Sequence, residues 1–355
     1  MTELQERLKS IHFGALIAPV IALGKKLRLF EALAECGTEE RPAEAREVAE
    51  RARCKERYVV EWLSALACAR LIHVTPDDRF WMSDEAKHEF SELNNFEVAR
   101  MLFVPASIKI FDDLVDAFRL EGRLGLDYAQ FADFYNEQDV QTRAKHEKHL
   151  VSEYFPLIGL DAQLAGDSRR VLDVGCGSGF HTIKMAETFG HAEVHGVDIS
   201  ERAIEIAEAA ADEARLSNIT FYVVDAGSMP SDWSDSFDAV TIFDACHDQL
   251  RPDLCLNEVY RVLKPGGVFA MLEMRGTSSA FDDASSLSHA AHVYASSLFH
   301  CLPVASNRAD ALCMGAMWGE KRARRLLEQA GFSSDNVQVL HPSFFPINDV
   351  YLCKK

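Results

Sequence analysis

The chain has 355 residues, enough for two domains of roughly 150 residues each. Hydrophobic residues make up 48% and charged residues 26%, the balance of a globular protein with a packed core rather than a disordered chain. Acidic residues outnumber basic ones 55 to 37, and the formal charge of -18 repels phosphate backbones and anionic bilayers, which speaks against nucleic acid and membrane surfaces as partners.

Near the start, the apolar stretch from Ile11 to Gly24 falls short of the ~20 residues that a spanning helix needs. It follows Glu3, Glu6, Arg7 and Lys9, a mixed-charge opening unlike the basic head of a secretion signal. Nine cysteines, an odd number with no C-x-x-C pair, point to a reducing compartment and offer no zinc spacing. A soluble cytoplasmic protein is expected.

Leu27, Leu29, Phe30 and Leu33 fit one face of a helix. A second helix is predicted from about Ala43 to Arg53, and a third from Lys55 to Arg70. Leu71–Val74 and Arg79–Met82 flank a polar turn at Pro76-Asp77-Asp78 and read as a small hairpin. Three helices and a hairpin outline a winged helix-turn-helix over residues 1–90. That zone carries 14 Lys/Arg against 16 Asp/Glu, and its third helix sets Glu56 and Glu61 beside Lys55 and Arg57. A helix that reads a DNA groove needs donors for bases and phosphates without such acids, so packing or dimerisation is the expected role.

Residues 91–165 read as a helical linker or lid, with Phe111, Leu114 and Phe118 at helical spacing and a break at Glu121–Gly125. Tyr128, Phe131 and Phe134 are placed to close over a ligand, or equally to pack one domain on another.

Beyond Arg169 the texture changes. Short runs, Val171–Val174, Glu193–Val197, Ile219–Val224, Ala239–Phe243 and Val268–Leu272, alternate with stretches of helical pattern. Such alternation predicts βαβ units and a parallel sheet covered by helices on both faces. Val337–Leu340 and Val350–Leu352, separated only by a Pro342/Pro346 loop, lack room for a crossover helix and should form an antiparallel edge hairpin. The fold class is α/β, with residues 166–355 as the nucleotide-binding domain.

The first of these strands runs through Asp173 and Val174 into Gly175-Cys176-Gly177-Ser178-Gly179 and then a helix near Phe180. Glycines let the backbone turn sharply and approach a ligand, and ligands bind at the carboxyl ends of strands in an open α/β sheet. The dinucleotide fingerprint needs glycine at 180, where this chain has Phe180. Asp173 would repel a pyrophosphate but suits a cationic amino group. Asp198 closes the second strand, where a carboxylate can accept both ribose hydroxyls, with Ile199 after it. Asp225 and Ala226 close the third strand, positioned for an adenine amino group, and Asp244 closes the fourth. A single acid at a strand end is commonly a helix cap; three in succession behind a glycine loop are not explained by capping alone.

This set resembles the class I S-adenosylmethionine-dependent methyltransferases: the D-x-G-x-G-x-G loop at 173–179, Asp198, the Asp225-Ala226 pair, and the Arg261–Gly267 turn before the fifth strand. The resemblance implies a Rossmann-like seven-stranded sheet with S-adenosylmethionine as cofactor and a small-molecule acceptor. Asp173, Gly175 and Gly177 would flank the methionine part, with Cys176 and Gly179 in the same loop; Asp198 would hold the ribose, and Asp225 and Ala226 the adenine. Glu61-Trp62-Leu63, His300–Pro303 and Met317–Glu320 further resemble a subgroup with an N-terminal winged helix, in which that domain pairs subunits as a homodimer.

His247, just past the fourth strand, is the candidate catalytic base, with Asp248 or Asp244 to orient it. A histidine that packs against the cofactor or caps a helix is the competing reading. No [DN]-P-P-[YF] signature stands here, which argues against an exocyclic base amine as acceptor. His289 with His292, and His146 with His149, lack a completing carboxylate or cysteine at helical spacing, so no metal site is expected. His300, Trp318 and Glu320 are candidates for the acceptor pocket. Two alternatives to an enzyme remain: a regulator that senses the cofactor and binds DNA, and a cofactor-binding protein without catalysis.

Overall fold

In the computed structural model, residues 2–91, 95–131, 134–166 and 168–355 are described, the side chains of 91 and 134–138 excepted, so the Phe134 side chain lies outside the description. The chain divides into two compact units, Met1–Lys109 with Asn136–Lys145, and Ile110–Tyr135 with His146–Lys355. The linker or lid zone is therefore shared: residues 110–135 belong with the C-terminal unit.

The N-terminal unit opens with α1 (Glu3–Lys26), started by a capping box between Thr2 and Gln5. Here the expectation of a short apolar stretch is corrected. The helix runs through the charged opening to 24 residues, long and apolar enough to cross a membrane by length and composition. Ile21, Ala22 and Gly24 near its end are buried in the core of their own unit, whereas Leu4, Leu8, Ile11 and Leu16 are exposed. Arg28 in the left-handed conformation breaks the chain between α1 and α2 (Leu29–Cys36). Helices α3 (Ala45–Ala52) and α4 (Glu56–Cys68) follow, then β1 (His73–Val74) paired antiparallel with β2 (Phe80–Trp81).

Phe30, Leu33, Val48, Trp62, Leu63 and Leu66 form this unit's core. The Trp62 indole meets Phe30 edge-on at 5.0 Å and donates to the Val20 carbonyl at 3.0 Å, tying α4 to α1. With Val59, Trp62, Leu63 and Leu66 turned inward, the outer face of α4 presents Tyr58 and an Arg57–Glu61 ion pair at 2.5 Å.

The C-terminal unit is built on a seven-stranded sheet. In chain order the strands are β3 (Arg170–Val174), β4 (Glu193–Asp198), β5 (Ile219–Val223), β6 (Phe237–Phe243), β7 (Leu263–Met274), β8 (Val337–Leu340) and β9 (Asn348–Lys354). In space they run β5-β4-β3-β6-β7-β9-β8. The first five are parallel; β9 pairs antiparallel with β7, and β8 antiparallel with β9. The expected edge hairpin is present, with its second strand inserted next to the parallel block. Successive strands step away from β3 on one side and then return to its other side at β6. That reversal leaves a crevice at the carboxyl ends of β3 and β6.

Every residue of β6 is buried, as befits a strand covered on both faces. Leu172, Val174, Val240, Ile242 and Trp318 pack in the core on one side of the sheet, and Val171, Ala239, Phe243 and Tyr154 in the core on the other. Burial of these side chains, at roughly 25 cal/mol per Å² of apolar surface, holds the strand ends in fixed positions for the site.

Candidate functional site

The loop after β3 is locked from below by β4. Gly175 and Cys176 both donate to the Val197 carbonyl, at 2.8 and 3.0 Å, and the Gly177 N–H donates to Asp198 Oδ2 at 2.9 Å. Gly175, Gly177 and Gly179 all have positive φ, at 71°, 53° and 84°, where a side chain is strained. Their surroundings differ. A Cβ on Gly175 would strike the Ala245 methyl at 2.7 Å, and one on Gly179 the Ala207 methyl at 2.8 Å. At Gly177 nothing lies within 4 Å. The outer two glycines serve close packing, and the middle one leaves room for a ligand against the backbone.

Asp173 is 1% exposed, with one oxygen accepting from the Thr182 hydroxyl at 2.6 Å and the other from Thr241 at 3.1 Å. Burial pushes its carboxyl up to about 7 against the pull of the two hydroxyls. Asp198 also accepts the Ser200 N–H, at 2.9 Å, and burial raises its carboxyl as well. Asp225 is exposed at the end of β5 and accepts from Gly227 N–H at 2.8 Å. Ala226 is buried in the sheet core. Asp244, with φ of 50°, accepts from the Asn348 amide at 2.7 Å.

A cleft of about 660 Å³ opens beside these strand ends. Ile199, Ser200, Asp225 and Gly227 line it, as do Leu126, Tyr128 and Phe131, with Asp248, Gln249 and Leu250 from the loop after β6. Of the sequence-predicted residues, Ile199 and Asp225 reach the cleft, and so do Tyr128 and Phe131. Asp173, Cys176, Ala226 and His247 are buried, and neither they nor Gly175, Gly177, Gly179, Asp198 and Asp244 are among the residues lining it.

His247 is 2% exposed. Its Nδ1 lies 2.5 Å from Glu273 Oε2, and Glu273 Oε1 accepts the backbone N–H groups of Cys246 and His247 at 3.0 and 3.2 Å. At Nδ1 the orienting acid is Glu273, which sequence proximity did not offer: Phe243 pairs with Leu272 across β6 and β7, which brings Glu273 under the 244–247 loop. Asp248 stands at the other ring nitrogen, 3.3 Å from Nε2. Burial disfavours the charged ring, but Glu273 and Asp248 outweigh it and push the imidazole well above its ordinary value. Glu273, missed in the sequence reading, had a signal: it is the one charged residue in the run Val268–Met274.

Of the acceptor candidates, His300 is buried edge-on against Phe131 at 4.8 Å, and burial together with the His247 charge pushes it down to about 3. Trp318 is wholly buried in the sheet core, and Glu320 pairs with Arg324 at 2.7 Å. Neither lines the cleft. His146 Nδ1 hydrogen-bonds His181 Nε2 at 2.8 Å, and His289 Nε2 donates to the Arg275 carbonyl at 3.1 Å.

Residues 166–331 match the family described as Methyltransferase domain, and residues 15–90 the Rv2258c-like winged HTH domain. Among curated proteins, the demethylmenaquinone methyltransferase of Lactococcus lactis subsp. lactis is 38% identical over 104 residues, 29% of this chain and 41% of that protein. The fatty-acid O-methyltransferase of Mycolicibacterium smegmatis is 34% identical over 114 residues, 32% of this chain and 40% of that protein. The chain thus spans about two fifths of the length of the curated relatives it matches. The solved human N-acetylserotonin methyltransferase in complex with SAM superimposes with a TM-score of 0.68 at 18% identity, over 100% of this chain and 98% of that one. At that identity the likeness establishes the fold.

Proposed function

We propose that this chain, whose residues 166–331 are a class I S-adenosylmethionine-dependent methyltransferase domain behind a winged-helix N-terminal domain, methylates a small-molecule acceptor. The cofactor fits the residues present: a glycine backbone with open space at Gly177, an acid tied to that loop at Asp198, and a cleft bordered by exposed Ile199 and Asp225. When bound, the cofactor supplies a sulfonium methyl, the electrophile for an in-line displacement.

Asp173, Gly175, Cys176, Gly177 and Gly179 hold the methionine end, and Asp173 offers its carboxylate to the amino group. Asp198 takes the ribose hydroxyls through its remaining lone pairs, with Ile199 as an apolar wall. Asp225 and the Ala226 backbone meet the adenine, and Asp244 closes the site at the end of β6. Orientation of the two reactants supplies roughly 7–11 kcal/mol of the barrier lowering. The acceptor's proton leaves through the His247–Asp248 pair in the state in which His247 has given up its own proton to solvent: Asp248 lines the cleft, and Glu273 holds His247 in register behind it. Such a base contributes on the order of 10²–10⁴-fold.

Residues 1–90 pack or pair subunits, giving a homodimer, and residues 91–165 act as linker and lid. The paired charges on the outer face of α4 support the first reading over DNA contact. All nine cysteines are free, which supports a cytoplasmic location. The observation that carries the functional reading is the Gly177–Asp198 hydrogen bond at the edge of an open glycine face. Calorimetric titration of the full chain with S-adenosylmethionine tests it. Binding that is lost in Asp198→Ala is expected, and absence of binding by the intact chain refutes it.

A further inference from the structure

We infer that His247, Asp248 and Cys301 form a site for one divalent cation of the zinc class, entered from the cleft at Asp248. One ligand atom from each of the three lies within 4.8 Å of the others. The His247 Nε2 to Asp248 Oδ1 separation of 3.3 Å is the edge expected of a tetrahedron with arms of about 2.0–2.1 Å, those of zinc to nitrogen and carboxylate oxygen. Nitrogen, oxygen and sulfur together are the donor set of a borderline-soft ion rather than of magnesium or calcium.

Two further observations favour a ligand set over an ordinary ion pair. Asp248 Oδ1 is buried and accepts no hydrogen bond from any described residue, although Nε2 is only 3.3 Å away. On the far side of the ring, Glu273 engages Nδ1 at 2.5 Å, the arrangement that orients a metal-ligating histidine and fixes its tautomer. Asp248 also borders the cleft, the side from which an ion with its water would enter. Sequence spacing offers no such site because Cys301 comes from a distant helix, Cys301–Ala305.

On binding, coordinate bonds form from Nε2, Sγ and the Asp248 carboxylate. The Nε2 and Sγ protons pass to solvent, and nothing is oxidised or reduced. This inference rests on the methyl-transfer reading only in its consequence: an ion here removes the His247–Asp248 pair as proton acceptor, so zinc inhibits turnover.

Cobalt(II) added to the metal-free full chain, without cofactor or acceptor, reads the site directly. One equivalent should produce intense tetrahedral visible bands and a thiolate-to-cobalt band in the near ultraviolet, both displaced by zinc. Cys301→Ser should abolish the thiolate band, and Glu273→Gln should weaken binding by about 10–100-fold. Cys68→Ser with Cys313→Ser, at exposed positions, should change neither. Weak octahedral bands, or a thiolate band that survives in folded Cys301→Ser, overturn the site. Should Cys301→Ser not fold, loss of the band in Asp248→Asn decides for the site and its persistence against it. Cofactor binding by a chain that takes up no cobalt would leave the methyl-transfer reading intact.

Discussion

Asp173, a single buried group, is expected to link cofactor affinity to pH. In the unfolded chain its carboxyl has the ordinary aspartate value of about 3.9, whereas burial raises it to about 7 in the folded protein. The folded protein thus holds this proton more tightly than the unfolded chain. Stability falls as pH rises from about 4 to about 7 and is level above that, a loss on the order of 4 kcal/mol. A cationic amino group beside the carboxylate favours the ionised form, so S-adenosylmethionine should bind the deprotonated protein. With titration near 7, the ionised fraction climbs roughly eightfold between pH 6 and pH 7.5, on the order of 1 kcal/mol of affinity. Calorimetry across that range should show the rise in the intact chain. Asp173→Asn can accept one threonine hydroxyl and donate its amide to the oxygen of the other, but it cannot ionise, so it should bind more weakly, with a flat profile, and unfold at a higher temperature at pH 8. Asp198 remains in the variant, and any residual slope reports on it. An Asp173→Asn profile as steep as the original would refute the assignment.

At the reacting end, His247→Ala should lower turnover on the order of 10²–10⁴-fold while cofactor affinity holds; near-normal turnover by the folded variant removes it from catalysis. The glycines should separate by assay. Gly179→Ala meets Ala207 and Phe221 at φ of 84° and should lower stability by more than about 1 kcal/mol, seen as a shifted denaturant midpoint. Gly177→Ala faces open space, so its loss should appear mainly in cofactor affinity measured by titration. Trp318→Ala, at a wholly buried position, should cost about 3–5 kcal/mol in chemical unfolding, and a cost below 1 kcal/mol would deny it a place in the core. The full chain should show no salt-dependent retention of duplex DNA in a mobility assay, since α4 presents Glu56 and a paired Arg57–Glu61.

Local pattern was enough for the architecture of the C-terminal unit. A buried parallel strand leaves a run of apolar residues, a crossover helix leaves its own period, and a loop too short for a helix leaves only the antiparallel choice. Val171–Val174, Ala239–Phe243 and the Val337–Leu352 hairpin were legible on those grounds, as were the glycine loop and the acids Asp198 and Asp225, because each of them sits at the end of its own strand. What tertiary structure alone decided was everything that depends on neighbours distant in the chain. Gly175, Gly177 and Gly179 look alike in sequence, yet Ala245 and Ala207 crowd two of them and leave Gly177 open. Asp248 is adjacent to His247 in sequence, but the β6–β7 register delivers Glu273 to its Nδ1. The chain length of α1 likewise depended on a capping box that carries the helix through the charged opening. The formal charge of -18 follows the same rule. Composition counts the acids, while folding determines which of them, such as Asp173 and Glu273, are withdrawn from water and face a proton donor or a cation instead.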